Sequence, residues 1–184
     1  MKKKILIVTD DAGESQEIYY AKHRFAEAGW LPVIAASQRK LLNGVIHDFA
    51  PGWNTYIEKP GYLIQADVAF SQVKVAQYEA VLLIGGRAPE FLRHDERLLA
   101  IIQKFHAQKK WLYAICHGIQ IQAAAGLVKG RTLTCYCNVR GEAELAGARW
   151  VNRQSVVDAE RKIITAQTWE SHPEFYRDIF ANLD

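Results

Sequence analysis

Short runs of aliphatic and β-branched residues alternate along the chain with longer amphipathic stretches, the pattern of strands and helices taking turns in an α/β sheet. Residues 4–9 (KILIVT) predict a first buried strand, and 14–28 a helix ending at Gly29, which suits a left-handed C-cap. Residues 31–36 predict a second strand. A third, 80–84 (AVLLI), closes on Gly85 and Gly86, and a helix over 95–107 follows. The next strand, 111–115 (WLYAI), runs straight into Cys116, His117 and Gly118 and an Ala-rich helix over 118–125. Beyond it the pattern predicts a strand at 132–136, a short helix at 142–146, strands at 155–157 and 163–166, and a C-terminal helix from about 173. Strands separated by helices imply parallel pairing with helices on both faces, so the expected fold is a flavodoxin-like three-layer α/β/α sandwich with a mostly parallel sheet. Such sheets bind ligands at the carboxyl ends of their strands. Residues 37–71 break the alternation: Gly44, Pro51, Gly52, Pro60 and Gly61 stand among Phe49, Trp53, Tyr56 and Tyr62. They read as an irregular or short-stranded excursion within one domain spanning 1–184.

Composition narrows the class without changing that picture. The 184 residues are 49% hydrophobic, enough for a real core, and carry 23 Lys+Arg against 20 Asp+Glu. A net charge of +3, with Lys2, Lys3 and Lys4 as the only basic run, predicts no nucleic-acid partner. No apolar stretch approaches the ~18 to 20 residues of a membrane helix, and the start shows no export signal, so a cytoplasmic protein is expected. The three cysteines are then expected to be free thiols.

The segment Ala114-Ile115-Cys116-His117-Gly118 carries the strongest chemical signal. A nucleophile between a buried strand and a helix sits on a sharp, strained turn that crowds the residues two before and two after it. Here those are Ala and Gly. The helix that starts there directs free N–H groups at the sulfur, so an acidic thiol is expected. The His117 N–H is placed to serve as one oxyanion donor and its ring as an acid or base. Gly85-Gly86, ending the neighbouring strand, is the expected source of the second donor, because glycine lets the backbone approach a substrate closely.

These residues, with Gly85-Gly86-Arg87-Ala88-Pro89-Glu90 and an acidic helix start after the first strand, resemble the ThiJ/PfpI family over almost the whole chain. Within it the chain is most similar to plant glyoxalase III-type domains, through His47-Asp48-Phe49, Thr55-Tyr56 and Ser171-His172-Pro173-Glu174-Phe175. The resemblance implies a pocket of Cys116, His117 and a glutamate whose carboxyl hydrogen-bonds the thiolate. Glu14, followed by Glu17 and then His23-Arg24, fits the family spacing and is the expected partner. It also implies a homo-oligomer, whether dimer, trimer or hexamer.

Cys135 and Cys137, two apart on a predicted strand, are expected to share one face as packing residues; two ligands make no zinc site, and neither a metal nor a cofactor is expected. Glu170, His172 and Glu174 resemble the His-Pro-Glu that completes the triad of class I glutamine amidotransferases, and His172 is a candidate pocket residue. The expected function is cofactor-independent conversion of 2-oxoaldehydes such as methylglyoxal to 2-hydroxy acids, or a related deglycase activity. The alternatives are a cysteine peptidase or amidohydrolase and an oxidative-stress sensor or chaperone.

Overall fold

The structure, a computed structural model, describes residues 2–183. In chain order its first elements are β1 (Lys4–Val8), α1 (Ser15–Glu27), β2 (Leu31–Ala36), β3 (Leu41–Asp48), β4 (Ile57–Gln65), β5 (Val68–Ala69), β6 (Ala80–Leu83), α2 (Ala88–Leu92), α3 (Glu96–Ala107) and β7 (Trp111–Ile115). After the Cys116 turn come α4 (Ile119–Ala124), β8 (Thr132–Leu133), α5 (Arg140–Leu145), β9 (Arg149–Trp150), β10 (Ser155–Asp158), β11 (Ile163–Ala166) and α6 (His172–Asn182). The main sheet has the order β10-β11-β7-β6-β1-β2-β5. It is parallel throughout except for β10, which pairs antiparallel with β11.

Burial follows the two-residue alternation of a strand covered on both sides. Ile5 and Ile7 of β1 join a core with Ile18 and Phe25 of α1 and with Phe175 and Ile179 of α6. Leu6 and Val8 face the other way, onto Leu98, Ile102 and Phe105 of α3. Helices therefore cover both faces of the sheet. From β1 the chain runs to β2 on one side and returns to β6 on the other, so the strand order reverses between β1 and β6. Reversals of this kind open the crevice in which such sheets bind ligands. Among the described residues no helix is long and apolar enough to cross a membrane.

Two segments depart from the sequence-based expectation. Residues 37–71 form no irregular excursion: they hold the β3–β4 antiparallel hairpin, paired from Leu41↔Gln65 to Asp48↔Ile57 with a shift in register between Asn43 and Val45. The glycines that read as breakers are what lets it dock. A Cβ on Gly44 would lie 2.4 Å from Ser15 Oγ and 2.6 Å from the Tyr62 carbonyl oxygen, and one on Gly61 would lie 2.2 Å from Ser15 Oγ and 2.8 Å from the Val45 carbonyl. The hairpin thus lies backbone-first on the start of α1. The predicted strand at 132–136 is confined to Thr132–Leu133, which pairs with β9 outside the main sheet. The Thr134 N–H instead donates to Thr165 Oγ1 at 3.0 Å, and the chain turns at Cys137–Val139. Cys135 and Cys137 consequently do not share a strand face; Cys135 is buried and Cys137 exposed.

The docking of the hairpin generates a stability prediction. Gly61→Ala should cost about 1 to 3 kcal/mol by overpacking, whereas Gly141→Ala, with nothing within 4 Å of its added Cβ, should leave stability unchanged or raise it by up to about 1 kcal/mol. Denaturant midpoints of the two variants check this.

Candidate active site at the Cys116 elbow

Ile115 is still extended at φ −126°, ψ 144°; Cys116 then adopts φ +59°, a left-handed conformation that non-glycine residues rarely hold. The neighbours enforce it. A Cβ on Gly118 would sit 2.3 Å from the Leu83 carbonyl oxygen, and one on Gly85 would sit 2.5 Å from Cys116 Cβ. The expected elbow, with small residues on either side of the nucleophile, is therefore present in the backbone. The turn continues as a single 3-10 turn over Cys116–Gly118 before α4, which is only 6 residues long.

The backbone N–H groups of His117 and Gly86 both reach the sulfur. Gly86 holds φ +76°, and a Cβ there would be 2.4 Å from the Ala12 carbonyl oxygen. Gly85 does something else: its N–H donates to Glu17 Oε2 at 2.7 Å. The carboxyl beside the sulfur is that of Glu17, whose side chain hydrogen-bonds Cys116. Glu14, the expected partner, is displaced from that role by helix geometry. It is the N-cap of α1, where its Oε2 accepts the Glu17 N–H at 2.7 Å, and its Oε1 is buried without a hydrogen-bond partner. A residue three positions on lies almost one turn further round, and that is the position facing the elbow.

Ionisation at the site follows burial. Glu17 is pushed well above the carboxylate range by desolvation and by Glu14 beside it; its Oε2 takes the Gly85 N–H and its buried Oε1 has no hydrogen-bond partner. Burial pushes Glu14 up to about 7, against the Glu17 N–H that favours its charged form. The Cys116 thiol, 6% exposed, is raised by burial and by the Glu17 charge, against the two N–H groups that lower it. The expected intrinsically acidic thiol is thus corrected: a six-residue helix behind a 3-10 turn offers little dipole to offset its burial. A proton held on Glu17 removes the carboxylate charge that raises the thiol, so Glu17 and Cys116 titrate as a pair. His117, with Nδ1 3.2 Å from the sulfur, is drawn down to about 4 by burial and by His47. It is neutral near pH 7.

Several residues enter the site that sequence reasoning left out of it. The rings of Tyr56 and Tyr136 lie 5.9 and 5.4 Å from that of His117, and His47 lies 6.1 Å away. His47 pairs across the hairpin with Glu58, and Arg87 clamps Glu58. His47, Tyr56 and Arg87 all stand in the segments that carry the family resemblance; the cross-strand register that joins them is not readable from spacing. Trp53 and Tyr62, grouped with Tyr56 by composition, are exposed at 65% and 70%. His172 is buried, but its ring contacts are Tyr20 at 4.3 Å and Tyr176 at 5.6 Å, between α1 and α6 and away from the His117 cluster. No group of three or more His, Cys, Asp or Glu among the described residues is placed to hold a metal ion.

Comparison with known proteins agrees with this architecture. The sequence model of the DJ-1/PfpI family matches residues 3–182. The chain is 36% identical over 155 residues to a deglycase of Thermococcus kodakarensis, covering 84% of this chain and 85% of that one. It is 38% identical over 140 residues to the DJ-1 homolog D protein of Arabidopsis thaliana, covering 75% of this chain and 36% of that longer one. Among solved structures, a ThiJ/PfpI domain protein from Brachyspira murdochii shares the fold with a TM-score of 0.85 over 99% of this chain and 97% of that one, at 22% identity.

The raised Glu14 carboxyl has a measurable consequence. A group that holds its proton more tightly folded than unfolded contributes stability that is complete below about pH 4.3, its unfolded pKa, and is lost as pH rises through its folded value near 7. His117 and His172, both drawn down to about 4, act in the opposite sense, so the difference between variant and wild type is the informative quantity. Glu14→Gln should gain stability relative to wild type as pH rises from about 5 to 7. Urea midpoints across that range check it; a difference flat with pH would mean that Glu14 is already ionised in the folded state.

Proposed function

Because the chain belongs to the DJ-1/PfpI family, we propose that it is a cofactor-independent cysteine enzyme with glyoxalase III-like or deglycase activity, converting 2-oxoaldehydes such as methylglyoxal to 2-hydroxy acids. The observation that carries the reading is the Cys116 sulfur, held at a left-handed elbow under the N–H groups of Gly86 and His117 with the Glu17 carboxyl against it. In this mechanism the sulfur adds to the aldehyde carbon as its proton is held in the Cys116–Glu17 pair. The two N–H groups meet the oxyanion that forms, and its protonation gives a hemithioacetal. The hydrogen on C1 then moves to C2, which oxidises C1 to a thioester and reduces C2 to an alcohol without an outside oxidant. Water cleaves the thioester, releasing the 2-hydroxy acid and the free thiol. Addition of the same sulfur to a glycated adduct would begin a deglycase reaction.

A cysteine peptidase receives less support, because such enzymes draw their thiolate from a protonated histidine and His117 is neutral near pH 7. Conversion of methylglyoxal to lactate, measured with wild type and Cys116→Ala, tests the proposal directly: the variant should be inactive. Glu17→Gln should lower turnover by about 10² or more, and Glu14→Gln far less. Wild-type protein that turns over no 2-oxoaldehyde and no glycated adduct would end this reading.

A further inference from the structure

The mechanism above leaves one step without an agent, the passage of hydrogen from C1 to C2. Glu17 is committed to the sulfur and to the Gly85 N–H. His117, drawn down to about 4, is too weak a base to take a carbon-bound proton efficiently. His47 is tied into the same cluster and has no part in any step so far.

Its setting is that of a histidine backed by a carboxylate. His47 lies opposite Glu58 in the hairpin, is 5% exposed, and has Nε2 3.0 Å from Glu58 Oε2. Arg87 grips that carboxylate through Nε, at 3.2 and 2.9 Å from its two oxygens, and through Nη2 at 2.9 Å. The arginine holds Glu58 below the usual carboxylate range. An ionised Glu58 only accepts hydrogen bonds, so in the neutral ring Nε2 carries the proton and Nδ1 the lone pair. That Nδ1 is buried without a hydrogen-bond partner, an unfavourable state for an acceptor unless something else satisfies it in use.

The ring is also fixed in place. It stacks on Tyr56 at 4.0 Å between centroids and stands edge-on to His117 at 6.1 Å, and His117 Nδ1 in turn lies 3.2 Å from the Cys116 sulfur. The His47 carbonyl accepts the Trp169 indole N–H at 3.2 Å, and β3 is tied to the residues before α1 by the Val45 N–H, which donates to the Gly13 carbonyl at 2.9 Å. The backbone is therefore held from the start of α1 and from the turn before α6, and the ring from β4 and the elbow.

We propose that His47 is the proton carrier of the reaction: its Nδ1 takes the C1 proton of the hemithioacetal and returns it at C2, with Glu58 stabilising the imidazolium in between. The C1–H electron pair becomes the C1=C2 bond of an enediolate, and the C2 carbonyl pair moves onto its oxygen. The C1 hydroxyl proton passes to that oxygen, C1=O re-forms, and the imidazolium protonates C2.

The inference rests on the 2-oxoaldehyde reading, and its test separates the two. His47→Gln retains an amide N–H to face Glu58 but has no basic nitrogen. It should lower kcat for methylglyoxal by about 10² or more while Cys116 alkylates at the wild-type rate. His47→Ala should regain turnover when imidazole is added and show no such gain with the weakly basic thiazole, a distinction that a packing role would not produce. Glu58→Gln should lower kcat with little change in KM and supplies the test if the His47 variants do not fold. Turnover within about threefold of wild type in His47→Gln or Glu58→Gln, or equal rescue by both heterocycles, overturns the assignment of His47 alone. Wild-type protein inactive towards every 2-oxoaldehyde overturns the underlying reading and the inference with it.

Discussion

The left-handed backbone at Cys116, φ +59°, is the constraint on which the rest of the site depends. A strained residue of this kind costs of order 1 to 3 kcal/mol and persists only where its surroundings over-determine it. Here β6 and β7 are buried side by side, Gly118 lies against the Leu83 carbonyl, and Gly85 lies against Cys116. The close packing that forces the turn also delivers the chemistry. With Gly85 at the Cys116 side chain, the Gly86 N–H reaches the sulfur and the Gly85 N–H reaches Glu17.

Burial sets the charges of this site more than helix dipoles do. Two carboxyls three residues apart, Glu14 and Glu17, are both raised by desolvation, and each accepts one backbone N–H, from Glu17 and from Gly85. The nucleophile is consequently a member of a proton-sharing pair whose ionisation depends on where the Glu17 proton resides. His117, neutral beside it, neither supplies a positive partner nor competes for that proton near pH 7. The site thus suits addition to an electrophilic carbonyl, where the sulfur sheds its proton as it attacks and the N–H groups receive the charge.

The β3–β4 hairpin supplies the other wall. Because Gly44 and Gly61 lack a Cβ, its backbone lies against Ser15 at the start of α1, and the Val45 N–H donates to the Gly13 carbonyl. This seats His47 and Tyr56 against His117. Arg87, just after Gly86, reaches across to Glu58 of the hairpin, so the crevice between β1 and β6 is linked on both sides to the same insertion.

The order of strands and helices, the buried character of β1, β6 and β7, and the elbow itself were legible in the residues, because they depend on local periodicity and on the sizes of side chains near in sequence. Asp95 capping α3 and Gly29 closing α1 are signals of the same local kind. What the linear pattern left open depends on contacts between distant segments. The choice between Glu14 and Glu17 turns on which side of α1 faces β7, and the length of the hairpin turns on backbone docking that makes Gly and Pro look like breakers. The fate of Cys135 depends on Thr134 bonding Thr165 in place of a ladder. The depressed acidity of the thiol, the withdrawal of His172 to Tyr20 and Tyr176, and the junction of His47, Glu58 and Arg87 likewise exist only once the chain has folded. Desolvation and cross-strand register are properties of the packed whole.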